Sequence, residues 1–244
     1  MEPKIITSRQ NPYIKQLAKL RKRSEQVKQG MFLIEGEHLL HMGIEANIVL
    51  TILTTDPKLY KDGIEVIQVS EEVIAKLSSL SSKPNVIGVA KFPQLELKTT
   101  DRFLYLDDVQ DPGNVGTLIR SALAFGFDGV FASPKSASFY NEKTLLAAQG
   151  ANFKIPCLTL TIDELLATYK NTHTFIASAI NKRAKTLEQI KVNPPLIVIL
   201  GNEGQGISKQ LLNQSDEVLY LPMKEIDSLN VASAGSIILY NFRK

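Results

Sequence analysis

The segment 195–201, Pro-Leu-Ile-Val-Ile-Leu-Gly, constrains the fold of this chain more than any other feature. It is a nearly continuous apolar run that ends at a glycine. A strand with one face in water alternates apolar and polar residues, whereas a parallel strand covered on both faces is apolar throughout. The run therefore predicts a central strand of a mostly parallel sheet with helices on both faces. Ligands of such sheets bind beyond the carboxyl ends of the strands.

Strand-like and helix-like segments alternate around this run, as is typical of an α/β protein. Apolar alternation and turn residues predict strands at 103–109, 129–133, 173–180, 195–201 and 217–222, with Cys157 in a further apolar strand. Predicted helices end at Phe125, start at Thr161 and cover 141–149, 207–214 and 228–242.

The first part of the chain predicts a smaller α/β unit by the same criteria. Its strands are expected at 31–36, 47–55, 64–70 and 85–92, and its helices at 11–22, 37–42 and 70–77. The segment 92–101 breaks the pattern with a proline, mixed charges and paired threonines, so we interpret it as a linker. We therefore predict one domain at 1–94 and another at 101–244.

Composition excludes several classes of protein. Hydrophobic residues make up 44% of the chain, enough for a buried core, yet no apolar run approaches the roughly 20 residues of a membrane span. The polar segment 1–10 lacks the apolar stretch of a signal peptide. Cys157 is the only cysteine, which excludes an internal disulfide, so a cytoplasmic location is expected. No metal is implied, because His38, His41 and His173 lack companion ligands at metal-binding spacing.

The net charge is only +3, but its distribution is uneven. Within the first 28 residues the acidic residues are Glu2 and Glu25, and the basic residues are Lys4, Arg9, Lys15, Lys19, Arg21, Lys22, Arg23 and Lys28. Such a block suits a polyanion such as nucleic acid. A solvated helix face explains the same charges, so this feature alone leaves both readings open.

Three segments in the second part, which we call blocks, have a sequence that is unusual for an α/β protein. Each includes the end of a predicted strand and the residues that follow it. In the first, at 106–126, Pro112 and Gly113 make a turn, Asn114 opens a helix, and Arg120 follows about one and a half turns later. A helix start attracts anions, and arginine binds phosphate in a bidentate manner.

The second block, at 197–208, runs from the apolar strand into Gly201, Gly204 and Gly206. Such loops bring backbone N–H groups to a ligand. The G-x-x-G-x-G spacing is neither a dinucleotide fingerprint nor a P-loop. Glu203 is unexpected here, because a turn needs no carboxylate.

In the third block, at 219–242, Pro222 stops a strand, Ser228 is the predicted N-cap of a helix, and Asn230 lies in its first turn. The small residues at 232–236 allow close packing against another helix or loop.

The three blocks together resemble the SpoU (TrmH-type) family of RNA ribose 2′-O-methyltransferases, within the SPOUT class. Asn114 with Arg120, the run N-E-G-x-G-I-S at 202–208 and the run L-P-M…S-L-N-V at 221–231 match the family in order and spacing. The first part resembles the substrate-binding domain of the ribosomal RNA members at T-S-R-Q-N-P (7–12) and F-L-I-E-G (32–36).

This resemblance implies a trefoil knot in the second domain, S-adenosylmethionine (AdoMet) as cofactor, a homodimer and structured RNA as substrate, foremost ribosomal RNA of the 23S type. The cofactor residues that it implies are Leu200, Gly201, Leu221, Met223 and Leu229. The catalytic residues that it implies are Asn114, Arg120, Glu203, Ser228 and Asn230.

The family assigns a base role to the arginine that matches Arg120. Arginine is effectively always protonated, so stabilising the developing alkoxide and holding the adjacent phosphate is the easier role physically. Asn114 and Asn230 are expected to orient the ribose or Arg120, and Glu203 to hold Arg120 by a charged hydrogen bond.

Two regions depart from the family pattern. The loop 224–227 is one residue shorter than usual and lacks a glycine, and Leu146 and Ala148 replace an arginine and a serine common in the family. Three alternatives stay open: a tRNA 2′-O-methyltransferase, a non-catalytic RNA-binding assembly factor of the same fold, and a nucleotide-binding oxidoreductase. The last needs an acidic residue about 20 positions after its glycine loop. Asp216 comes too early for that role, whereas Glu225 lies near the distance.

Overall fold

The computed structural model describes residues 4–59, 63–80, 84–97, 101–226 and 228–244. The chain divides into two compact units. The first comprises Met1–Gln94 with Tyr140–Leu146, and the second comprises Leu95–Phe139 with Ala147–Lys244. No helix within the described ranges is long and apolar enough to cross a membrane.

The first unit is built on a five-stranded mixed sheet in the order β1-β4-β3-β5-β2. Its strands are β1 (Lys4–Ile6), β2 (Met31–Glu35), β3 (Val49–Thr54), β4 (Glu65–Val69) and β5 (Val86–Lys91), and its helices are α1 (Pro12–Ala18), α2 (Arg23–Gln29), α3 (Glu37–Glu45) and α4 (Glu71–Leu77). Strand β5 runs antiparallel to its neighbours β2 and β3, while β1, β4 and β3 are mutually parallel.

The single helix predicted at 11–22 is wrong in its extent. Asn11 caps α1 by accepting from the Tyr13 N–H at 2.9 Å, but the helix tightens into a 3-10 turn at Lys19–Arg21. Lys22 is then extended, and α2 begins after it. The predicted apolar face is nevertheless correct, because Ile14, Leu17 and Leu20 all lie in the same buried core.

The second unit is built on a six-stranded sheet in the order β11-β9-β10-β6-β7-β8, in which every described pair is parallel. The strands are β6 (Arg102–Asp107), β7 (Gly129–Ala132), β8 (Cys157–Thr159), β9 (Thr174–Ser178), β10 (Leu196–Gly201) and β11 (Glu217–Leu219). Its helices are α5 (Pro112–Ala124), α7 (Ile162–Tyr169), α8 (Lys209–Gln214) and α9 (Val231–Asn241), whereas most of α6 (Glu142–Ala148) belongs to the first unit. This arrangement confirms the predicted α/β class and parallel sheet.

Strand β10 lies between β9 and β6, and all six of its residues are buried. On one face of the sheet Ile197 and Ile199 pack into a core with Leu165 of α7 and Leu211 of α8. The neighbouring Leu200 faces the other side, where it approaches α9. Burial on both faces confirms the prediction made from the apolar run at 195–201.

The small-residue face of α9 packs closely against α5, as predicted. A Cβ atom placed on Gly235 would lie 2.4 Å from Leu118 Cδ2 and 2.5 Å from Leu200 Cδ1, so a larger residue would require these buried leucines to shift. The hydroxyls of Ser121 and Ser236 are hydrogen bonded at 2.8 Å across the same interface. This packing places the start of α9 beside the start of α5.

Two boundaries near the third block differ from prediction. The strand expected at 217–222 ends at Leu219, and the helix expected at 228–242 begins at Val231. The segment between them has no regular secondary structure where it is described, which leaves its residues free to line a cavity. The trefoil threading of this region stays a prediction.

Candidate active site

The glycine-rich loop after β10 is a tight turn closed by its own backbone. Asn202 and Gly206 exchange both backbone hydrogen bonds, at 2.9 and 3.0 Å, and Asn202 Oδ1 accepts from the N–H groups of Gly204 and Gln205. A Cβ atom on Gly201 would lie 2.3 Å from the Gly206 carbonyl carbon. The sequence suggests that a bulky residue at Gly201 would block a ligand and spare the fold. The expectation that the fold stays intact is wrong, because the side chain would collide with the loop backbone. The loss of ligand binding stays a prediction.

The loop is tied to the end of β6, its neighbour in the sheet. Asn202 Nδ2 donates to the Asp108 carbonyl at 2.8 Å, and the Ser208 N–H donates to the buried carboxylate of Asp107 at 2.7 Å. Asp108 has a left-handed backbone, with φ of +59°. Burial, reinforced by the two aspartates, raises the pKa of Tyr105 on the same strand, so its phenol stays neutral.

Helix α5 presents Asn114 and Arg120. Asp111 is the N-cap and accepts from the Asn114 N–H at 2.8 Å, so the helix begins at Pro112 rather than at Asn114 as predicted. Arg120 is exposed and makes no hydrogen bond or ion pair with any residue that the structure describes. Its guanidinium is therefore available to an anion.

Helix α9 is capped by Asn230 and not by Ser228, which corrects the sequence prediction. Asn230 Oδ1 accepts from the N–H groups of Ala232 and Ser233 at 2.8 and 3.3 Å. Ser228 lies two residues before the cap, in the irregular segment.

Three predicted residues form one hydrogen-bonded series, which we call the amide relay: Asn230, Asn114 and Glu203. Asn230 Nδ2 donates to Asn114 Oδ1 at 2.9 Å, and Asn114 Nδ2 donates to Glu203 Oε1 at 2.9 Å. The expected hydrogen bond between Glu203 and Arg120 is absent from the described part of the chain. The prediction was wrong in its partner, since the start of α5 brings Asn114 to the carboxylate first.

Two adjoining cavities lie at the carboxyl ends of β9 and β10. The larger has a volume of about 440 Å³, and the predicted residues that line it are Leu200, Gly201, Glu203, Ser228, Leu229 and Asn230. The smaller has a volume of about 130 Å³, and the predicted residues that line it are Leu221, Met223, Ser228 and Leu229. Arg120 and Asn114 line neither cavity.

Sequence reasoning missed Ser178 and Ile180, which line both cavities. Ile180 is 73% exposed, which is unusual for so large an apolar side chain. The signal was available, because both residues stand at the carboxyl end of a predicted parallel strand, where ligands bind.

The described departures from the family pattern, at 224–226, Leu146 and Ala148, do not line these cavities. Lys224, Glu225 and Ile226 are exposed, while Asp227 lies outside the described residues. Leu146 is half-buried and Ala148 is buried. Among the residues that the structure describes, no three His, Cys, Asp or Glu side chains are grouped as a metal site would require.

Comparison with known protein families matches both parts of the chain. The SpoU rRNA Methylase family model matches residues 101–240. The chain belongs to the SpoU rRNA methylase family. A second family model, the MRM3-like substrate binding domain, matches residues 11–88 of this SpoU family member.

Relatives and solved structures resemble the SpoU family member over nearly its whole length. It is 33% identical to the 23S rRNA (guanosine(2553)-2′-O)-methyltransferase RlmP of Bacillus subtilis (strain 168), over 98% of this chain and 99% of the relative. An RNA 2′-O ribose methyltransferase structure is 28% identical with a TM-score of 0.80, covering 97% of each chain. The AdoMet complex of AviRb from Streptomyces viridochromogenes shares the fold at 22% identity, with a TM-score of 0.85, over 95% of this chain and 97% of AviRb.

Proposed function

We propose that this protein transfers a methyl group from AdoMet to a ribose 2′-hydroxyl of ribosomal RNA of the 23S type. The observation that carries the proposal is the placement of the amide relay beside the larger cavity. Glu203 and Asn230 belong to both, so a group bound in the cavity would meet the polar residues that the chemistry needs. The B. subtilis relative, named as a 23S rRNA 2′-O-methyltransferase, supports the substrate class.

The lining of the cavities fits AdoMet in size and chemistry. The larger cavity, at about 440 Å³, falls within the roughly 300–1,000 Å³ typical of ligand pockets, and the smaller one, at about 130 Å³, extends it. Leucine, isoleucine and methionine residues line the cavities and offer apolar surface to an adenine ring. We assign Leu200, Gly201, Leu221, Met223 and Leu229 to the cofactor.

AdoMet supplies an electrophilic methyl group on a sulfonium, so the protein contributes placement and electrostatics. We assign Arg120 to the phosphate and to the alkoxide that develops on the ribose, since its guanidinium is exposed and unengaged among the described residues. Ser228 lines both cavities, where its hydroxyl is available to either ligand.

We further propose that the domain at 1–94 binds the RNA, that the protein is a homodimer and that it acts in the cytoplasm, where ribosomal RNA is modified. The family match at 11–88 supports the assignment of RNA binding to the first domain.

Two exposed apolar residues of α9 support a dimer interface on that helix: Ile237 is 45% exposed and Tyr240 is 54% exposed. Sedimentation equilibrium measures the oligomeric state, and a monomer at all concentrations contradicts the homodimer.

Transfer of tritium from labelled AdoMet tests the proposed function. The substrates are deproteinised ribosomal RNA and tRNA, and the methylated ribose is then mapped. Label at a ribose of 23S-type RNA is expected. Label only in tRNA supports the tRNA alternative, and AdoMet binding without label in either RNA supports a non-catalytic assembly factor. Calorimetric binding of NAD in place of AdoMet would support the oxidoreductase reading.

A further inference from the structure

Glu203 is the only carboxylate that lines either cavity within the described part of the chain. A ribose 2′-hydroxyl is a weak acid, so its proton needs an acceptor as the oxygen attacks the methyl group. An arginine such as Arg120 is poorly suited to accept it, because a guanidinium group carries donors and no acceptor. We infer that Glu203 accepts the proton of the 2′-hydroxyl, an assignment that rests on the proposed function.

The polarity of the amide relay supports this assignment. Asn230 Oδ1 already accepts from the first turn of α9, so its Nδ2 must face Asn114. Asn114 Oδ1 accepts that bond, so its own Nδ2 must face Glu203. Every donor in the relay therefore points toward the carboxylate.

The relay engages only one carboxylate oxygen. Glu203 Oε1 accepts from Asn114, whereas Oε2 has no hydrogen-bond partner among the described residues. One oxygen thus fixes the orientation of the group, and the other is available to a substrate hydroxyl. Asn114 and Asn230 are positioning residues in this arrangement.

The proposed step balances in atoms and charge. The 2′-oxygen forms a bond to the methyl carbon, and the carbon–sulfur bond breaks with its electron pair left on sulfur. The O–H electron pair stays on the ribose oxygen, and the proton moves to Glu203 Oε2. The positive sulfonium and the negative carboxylate both become neutral, and water later removes the proton.

Glu203→Gln separates the base role from the positioning role. A glutamine keeps an Oε1 acceptor for Asn114, so the relay survives, but the amide cannot take up a proton at this site. Loss of a general base typically costs roughly 10²- to 10⁴-fold in rate. We expect a loss in that range in single-turnover transfer to RNA. Calorimetric affinity for S-adenosylhomocysteine and filter-binding affinity for RNA should stay unchanged.

Asp163→Asn is the matched control, because Asp163 is an exposed carboxylate of the same unit that lines neither cavity and accepts from Gln210. It should react at the parental rate. Glu203→Ala supplies a second arm, in which formate, but not chloride at equal ionic strength, should restore part of the rate in proportion to its concentration.

The outcomes separate the two proposals. A parent protein that binds AdoMet and methylates RNA, with Glu203→Gln reacting within threefold of it, overturns the base assignment alone. So does a Glu203→Ala variant that gains nothing from formate. A parent that binds no AdoMet overturns the proposed function and the base assignment together.

Discussion

At the scale of single residues, Asn230 joins two tasks in one side chain. Its oxygen caps α9, and its nitrogen starts the amide relay. Asn230→Asp keeps the capping oxygen but loses the donor to Asn114, so the Asn114 amide must flip and turn its oxygen toward Glu203. For Asn230→Asp we expect parental thermal stability with a large loss of single-turnover rate.

Asn230→Ala removes both the capping oxygen and the donor to Asn114. It should therefore also lose about 1 kcal/mol of stability, the typical value of an N-cap.

Thermal denaturation and rapid-quench methyl transfer, run on both Asn230 variants, check this prediction. An Asn230→Asp protein that turns over at the parental rate would show that the relay has no part in the reaction.

Arg120 tests electrostatic stabilisation at the same scale. Lysine keeps the charge but loses the planar fork that binds a phosphate in a bidentate manner. Arg120→Lys and Arg120→Ala should each lose about a hundredfold in rate, roughly 3 kcal/mol. AdoMet affinity should be retained, because Arg120 lines neither cavity.

Single-turnover transfer at saturating cofactor and RNA measures the Arg120 effect. Arg183→Lys is a suitable control, since Arg183 donates to the Leu212 carbonyl and lines neither cavity. If Arg120→Ala reacts within a fewfold of the parent, the assignment of Arg120 is wrong.

At the scale of elements, the loop between β10 and α8 depends on one of its glycines far more than on another. A Cβ atom on Gly201 would lie 2.3 Å from loop backbone, which cannot move aside cheaply. A Cβ atom on Gly204 would meet only Asn202 Oδ1, at an ordinary 3.6 Å. Gly201→Ala should therefore lower the melting temperature and abolish AdoMet binding, whereas Gly204→Ala should leave both near parental values.

Differential scanning calorimetry and isothermal titration with AdoMet compare the two glycine variants directly. Equal behaviour of Gly201→Ala and Gly204→Ala would contradict the close approach of the loop backbone.

At the scale of the whole molecule, the basic block of the first unit predicts a salt-sensitive interaction with RNA. Lys15 and Lys22 are exposed there, whereas Lys170 and Lys185 of the second unit are paired with Asp216 and Glu217. Lysines that contact phosphates release counterions, so their loss flattens the salt dependence of binding. Lys15→Gln with Lys22→Gln should reduce the slope of log affinity against log salt by about 1 for each lost phosphate contact.

The double variant Lys170→Gln with Lys185→Gln removes the same net charge and serves as the control. Filter binding across a salt series distinguishes the two proteins. An unchanged slope in the Lys15 and Lys22 variant would place the RNA footprint elsewhere.

The sequence by itself determined the class of fold and the positions of the chemical blocks. The apolar run at 195–201 specifies burial on both faces, and that property depends only on local composition. Glycine and proline mark the ends of strands for equally local reasons, because they limit or extend the accessible backbone conformations. Because these strand ends could be located in the sequence, Asn114, Glu203 and Asn230 could be predicted to lie just after them.

Only the tertiary structure decided which of these residues meet. The partner of Glu203 and the cavity role of Ile180 depend on residues far apart in sequence. These residues are brought together by β10 beside β6 and by α9 against α5. The close contact at Gly201 likewise involves backbone that folds back on itself. Local patterns carry no information on such distances, because hydrogen bonds between side chains depend on the packing of whole elements within a few tenths of an ångström.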